Sequence, residues 1–205
     1  MLVASTRAFS HSLPPVVAND LVDELDTATL EQCREGNRTA LELFVRCYER
    51  RVFAFLSRTL GYGLSVDDLA QEVFMRAYQA LSEFHPAGRA RLSTWLFTIA
   101  YHVLVDARRR QKTDYLLFSD EHESIDTDNP EHRLWRRELN TAFGRAVAEL
   151  EPEQRDTFIL AAFHDLSVTE IAKVTGTLES TVKTRLFRAR GHLREWLAEL
   201  WETNQ

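Results

Sequence analysis

The stretch Leu166 to Arg190, LSVTEIAKVTGTLESTVKTRLFRAR, constrains the fold of this chain more than any other. Ser167 stands three residues before Glu170, the pattern of a capping box: the hydroxyl accepts from a first-turn amide and the acid returns the bond. Ile171 and Ala172 then face inward, Gly176 permits a sharp turn, and Thr177 is placed to cap a second helix. In that helix Val182, Leu186, Leu193 and Leu197 recur at helical spacing. A helix, a glycine turn and a second helix in this order predict a helix-turn-helix.

An ordinary helical hairpin would share this apolar pattern, so charge has to decide. From Lys173 to Arg194 six basic residues (Lys173, Lys183, Arg185, Arg188, Arg190 and Arg194) face one acid, Glu179, in a chain whose formal net charge is −6. A solvated helix more often mixes its signs. Docked by its N-terminal end in a major groove, the second helix presents Ser180, Thr181, Lys183, Thr184 and Arg185 to bases and phosphates, with Arg188 farther along the backbone.

The acidic average conceals a second basic block. Arg89 to Lys112 holds Arg89, Arg91, Arg108, Arg109, Arg110 and Lys112 against Asp106. Between the blocks, Thr113 to Arg133 holds seven acids against Arg133 alone. Two basic segments flank an acidic tether without helical period, and 17 extended residues from Thr113 to Asn129 reach roughly 60 Å. The division expected is a mobile extension over 1–25, a helical domain over 26–112, an acidic linker over 113–130 and a helix-turn-helix domain over 131–205.

Seven glycines and five prolines among long runs of helical period predict an all-α protein of two small domains. The first has a short helix from Thr27 to Glu35, ended by Gly36, and a longer one capped by Asn37 with an apolar stripe through Phe44, Tyr48, Val52 and Phe55. Ser65 caps the next, which buries Leu69, Val73 and Ala77 and turns Asp68, Gln71, Glu72 and Arg76 outward. Ser93 is placed to cap a fourth, burying Leu96, Ile99, Val103 and Ala107. Trp95 aligns with that buried set.

Cys33 and Cys47 lie inside helical, partly apolar patterns and read as reduced thiols of a cytoplasmic protein. Neither has partners at metal-ligand spacing, so no metal and no cofactor is expected. No apolar run has the length of a membrane span. His85, His102, His122, His132 and His164 fall in separate segments, without a nucleophile motif or a phosphate-binding glycine loop, which argues against an enzyme.

Three segments, DDLAQEVFMRAYQAL (67–81), STWLFTIAYHVLVDARRR (93–110) and the closing helix-turn-helix, together resemble the extracytoplasmic-function group of bacterial RNA polymerase sigma factors. The resemblance spans about Thr27 to Leu200. It implies a first domain that binds core polymerase and the −10 promoter element and a second that binds the −35 element. Asp68, Gln71, Glu72 and Arg76 fall where such factors meet the clamp helices of the largest subunits, with the polymerase flap a further contact. The loop His85 to Leu92, with Ser93 and Thr94, falls where the family captures an extruded base of the non-template strand. Arg89, Arg91, Tyr101 and Arg108 to Arg110 are suppliers of charge and stacking there, and Trp95 borders the melted junction or the core. His102 replaces a frequent asparagine. The resemblance further implies promoter DNA as a partner and an anti-sigma protein that covers both domains. Two alternatives use the same features less fully: a mimic that only titrates an anti-sigma factor, which has no need of the basic blocks, and a stand-alone helix-turn-helix regulator, which leaves the first domain without a task.

Overall fold

The computed structural model describes residues 24–60, 65–84, 91–110 and 143–203, with side chains described as far as 198. Every regular element among them is helical. In chain order these are α1 (Thr27–Arg34), α2 (Arg38–Thr59), α3 (Val66–Ala80) followed by a 3-10 turn (Leu81–Glu83), and α4 (Leu92–Arg110). After them come α5 (143–149), α6 (Pro152–Phe163), α7 (Val168–Thr175) and α8 (Glu179–Thr203). The acidic tether and most of the N-terminal extension lie outside the described residues.

Local chemistry explains the boundaries. The Asn37 side chain accepts from the amides of Thr39 and Ala40, and Ser65 accepts from Asp68, so each satisfies first-turn donors that a helix cannot pair internally. Gly36 takes φ +80 between α1 and α2, a conformation that a side chain disfavours. Pro152 opens α6, where its missing N–H costs nothing. Ser93 departs from expectation: α4 begins at Leu92, so Ser93 lies inside the first turn and donates its amide to Glu24 at 3.3 Å. A carboxylate distant in sequence, not the serine, serves that helix end.

The first four helices close on an aromatic-rich centre. Val52, Phe55 and Leu56 of α2 are completely buried, each stabilising the fold by about 1.5–3 kcal/mol relative to exposure. Phe55 meets Phe97 of α4 edge-on at 5.7 Å, and Phe44 meets Phe74 of α3 at 6.0 Å. The later helices form a second centre from Ile159, Leu160, Ile171, Val174 and Val182. The two centres are continuous: one apolar cluster runs through both halves, with α6 lying on α2 and α7 on α4.

Candidate nucleic-acid interface

In the second half, the capping box is complete. Ser167 accepts from the Glu170 amide at 3.3 Å, and the Glu170 carboxylate accepts from the Ser167 amide at 2.9 Å. Gly176 takes φ +64 and closes α7, its amide donating back to Lys173. Thr177, expected as a cap, pairs its hydroxyl with that of Thr175 at 2.9 Å, while its amide donates to Ala172. Glu179 at the start of α8 accepts from Thr169 at 2.7 Å, tying the acid to the neighbouring helix.

Burial of Val182, Leu186, Ala189 and Leu193 fixes the rotation of α8. Ser180, Lys183, Thr184 and Arg188 consequently face outward, and Thr181 is half-buried. Phe187, which the sequence reading passed over, is 80% exposed in the middle of this face, on the line from Ser180 through Thr184 to Gly191. Its signal was present as an aromatic off the apolar stripe and among cations. Arg185 is placed differently: it is half-buried, and its Nη1 is buried without a hydrogen-bond partner.

In the first half, the outward side of α3 is as the spacing predicts. Asp68 and Gln71 are exposed, whereas Glu72 and Arg76 are half-buried and paired at 2.5 Å. Arg76 also reaches Asp106 of α4 at 3.3 Å, which fixes its guanidinium across two helices. Met75 and Tyr78 are exposed on the same helix and give this polar surface an apolar component.

The α4 residues are the most altered by tertiary packing. Arg89 lies outside the described residues. Arg91, His102 and Arg109 are exposed, as is Arg110. Trp95 is half-buried against Phe84, with ring centroids 5.1 Å apart. Ser93 and Thr94 are buried: the Ser93 hydroxyl donates to Glu24, and the Thr94 hydroxyl donates to Glu170 of α7 at 3.2 Å. Glu170 also stands 3.7 Å from the Arg91 guanidinium. Burial opposes ionisation of Glu170, yet Ser167, Thr94 and Arg91 together hold its carboxyl below the usual range.

At the other end of α4, Arg108 forms a two-pronged pair with Asp156 of α6, at 2.7 and 2.9 Å, and donates to the Thr59 carbonyl at 2.5 Å. Asp156 is 1% exposed. Burial pushes its carboxyl upward, with Arg108 acting in the opposite sense. Tyr101, about two helical turns before, is half-buried. Burial and then the Asp156 charge raise its hydroxyl, against Arg185 and Arg108.

The surface described is therefore a hydrogen-bonding and cationic one. Among the described residues no group of three or more His, Cys, Asp or Glu side chains is arranged to hold a metal. No helix among them is long and apolar enough to cross a membrane.

Comparison with known proteins gives the two halves a common context. Residues 44–113 match sigma-70 region 2, and residues 141–193 match sigma-70 region 4. The chain is 33% identical over 181 residues to the ECF RNA polymerase sigma factor SigC of Mycobacterium tuberculosis, covering 83% of this chain and 90% of that protein. It is 30% identical over 175 residues to the ECF RNA polymerase sigma-E factor of Escherichia coli K12, covering 80% and 90%. In fold it resembles the sigma factor RpoE of Bartonella quintana, solved with the anti-sigma factor NepR. The TM-score is 0.62 at 23% identity, over 77% of this chain and 96% of that one.

Proposed function

The chain belongs to the extracytoplasmic-function group of RNA polymerase sigma factors, and on that premise we propose how its residues divide the work of promoter recognition. Like its relatives it is a transcription initiation factor that directs core RNA polymerase to promoters and assists their melting. The first half, 26–112, carries the polymerase face and the −10 surface, and the second, 131–205, carries the −35 reader.

On α3, Asp68, Gln71, Glu72 and Arg76 meet the clamp helices of the polymerase. Glu72 and Arg76 hold each other in place, so that the free carboxylates of Asp68 and its neighbours present a defined charge pattern. On α4, Arg91, Ser93, Thr94, Trp95, Tyr101, His102, Arg108 and Arg109, with Arg89 from the preceding loop, take the melted non-template strand. Hydroxyls address the pairing edge of an extruded base, rings stack, and guanidinium groups follow the phosphates. On α8, Ser180, Thr181, Lys183, Thr184, Arg185 and Arg188 enter the −35 major groove. The protein itself breaks no bond. It works in the cytoplasm beside the polymerase, with an anti-sigma protein as its regulatory partner.

The observation that carries this reading is the retention of both cationic surfaces in one chain, the outer face of α8 and the charged ends of α4. A mimic that only titrates an anti-sigma factor has no use for them. Run-off transcription with sigma-free core polymerase and promoter fragments of the source genome tests the assignment. Discrete start sites that require this protein are expected, and tight binding to core polymerase without any transcript would sink it.

A further inference from the structure

Two of the residues assigned to the melted strand, Thr94 and Arg108, are engaged by the second half in this structure, which lies over both ends of α4. Glu170 takes the Thr94 hydroxyl and stands beside Arg91 at the start of α4. Asp156 takes both prongs of Arg108 near its end. Between these points His164, at the end of α6, inserts its ring 4.6 Å from Phe97 and 6.0 Å from Phe55. We infer that the second half is an intramolecular cover for the −10 surface, and that the Arg108–Asp156 pair is the latch that holds the free protein closed. The inference rests on the reading of α4 as the surface for the melted strand.

The chemistry makes the two states exclusive. A guanidinium that grips a carboxylate with two parallel bonds uses the same fork that would grip a phosphate. With the Arg108 side chain 24% exposed and Asp156 almost wholly enclosed, no phosphate reaches that fork until α6 withdraws. The covering is mutual, since Arg185 of the −35 reader is half-buried and lies within electrostatic reach of Tyr101.

The same contacts limit how tightly the cover holds. Arg185 Nη1 and His164 Nε2 are both buried without partners, and an orphaned polar group costs free energy that separation to solvent restores. A buried ion pair adds little net stability once desolvation is counted. The covalent connection between α4 and α5 is residues 111–142. The α3 polar face and the outer face of α8 stay exposed throughout. The closed protein can therefore meet the polymerase first and open upon it.

Reversing the latch in the full-length chain tests this. Asp156→Arg faces Arg108 with like charge and should enlarge the radius of gyration in small-angle scattering. It should also lower the concentration giving half-maximal run-off from sigma-free core polymerase by about tenfold or more, as when an open fraction near one in ten becomes dominant. Start sites and the plateau should not change. An expanded variant with an unchanged half-maximal concentration would show that closure restrains nothing, and a variant that stays compact with unchanged activity would show that the pair is no latch; either overturns the inference. Wild-type protein that gives no transcript at all overturns the promoter reading itself, an outcome visible before any variant is made. If circular dichroism shows Asp156→Arg to be unfolded, Asp156→Asn carries the same test with an expected gain of about threefold.

Discussion

The hydroxyl of Tyr48 donates to the Glu24 carboxylate at 3.0 Å. The same hydroxyl accepts from the Leu25 amide at 3.3 Å, so two bonds join the last part of the N-terminal extension to the middle of α2, and the Glu24 carboxylate also serves the first turn of α4 through Ser93. Burial, and then the Glu24 charge, raises the Tyr48 hydroxyl well above its ordinary value, so it remains a donor at every physiological pH. Tyr48→Phe keeps the ring and removes both bonds. It should lower stability by about 1–3 kcal/mol, the ordinary net value of two such bonds. The shift of the urea midpoint measures it, and no shift would mean that Glu24 lies on α4 without contributing.

Breaking the latch from one side should cost more than removing it entirely. Arg108→Ala leaves the Asp156 carboxylate enclosed and uncompensated, and about 3 kcal/mol of destabilisation is expected. Arg108→Ala with Asp156→Ala removes both charges, and its loss should fall short of the sum of the single losses by roughly 1–3 kcal/mol. Denaturant unfolding of the four proteins closes the cycle. Additive losses would place the pair outside the cooperative structure.

The helix-turn-helix itself rests on two small devices whose costs are separable. Gly176→Ala introduces no steric clash, because nothing lies within 4 Å of the added Cβ, but it forces a left-handed conformation on alanine. About 1 kcal/mol should be lost, and Gly176→Asn should recover part of it. Ser167→Ala removes one arm of the capping box and should cost about 1 kcal/mol as well. Thermal melts of each variant decide between these conformational costs and a neutral outcome.

Closure should weaken in mild acid. Burial, with Arg51 and Arg58 adding to it, holds His164 down to about 3, whereas a solvent-exposed histidine titrates near its ordinary value. Between about 3 and 6.5 the open or unfolded chain therefore binds a proton that the closed one refuses, and closed-state stability falls as pH falls. From pH 7.5 to 5.5 the loss is about 1.4 kcal/mol for this one group. Asp156 acts in the opposite direction, because burial raises its carboxyl. Scattering at the two pH values should show expansion at the lower one, and His164→Leu should abolish the difference. An equal expansion in both proteins would assign it to other groups.

How far the sequence anticipated this arrangement depended on the range of the interaction. Caps and turns act within four residues, so Asn37, Ser65, Ser167 and Gly176 were legible with their roles. The buried faces of α3 and α8 followed from period alone. Ser93 was misplaced as a cap because its partner, Glu24, is 69 residues away. The engagement of Arg108 was equally invisible: a basic triplet at a helix end looks like a free cationic patch until the acid 48 residues on is brought beside it. Asp156 offered one clue, a lone acid among Thr157, Phe158, Ile159 and Leu160, all of them buried. Such an acid needs a cation, and the sequence does not say which.

The division between polymerase binding and promoter reading can be separated by substitution. Arg185→Ala removes a guanidinium from the −35 reader and a buried orphan from the closed form at the same time. It should therefore reduce promoter-specific transcription by roughly tenfold or more, the equivalent of 1–3 kcal/mol for one good base or phosphate contact, while polymerase affinity holds or rises slightly. Asp68→Ala combined with Glu72→Ala should do the reverse, weakening polymerase binding with the −35 preference intact. The second variant also frees Arg76 from Glu72, leaving Asp106 as its remaining partner, so circular dichroism should accompany the binding measurement. Parallel losses of both activities in both variants, with helicity retained, would show that α3 and α8 do not divide the work. A separation of the losses would place polymerase recognition on α3 and promoter recognition on α8.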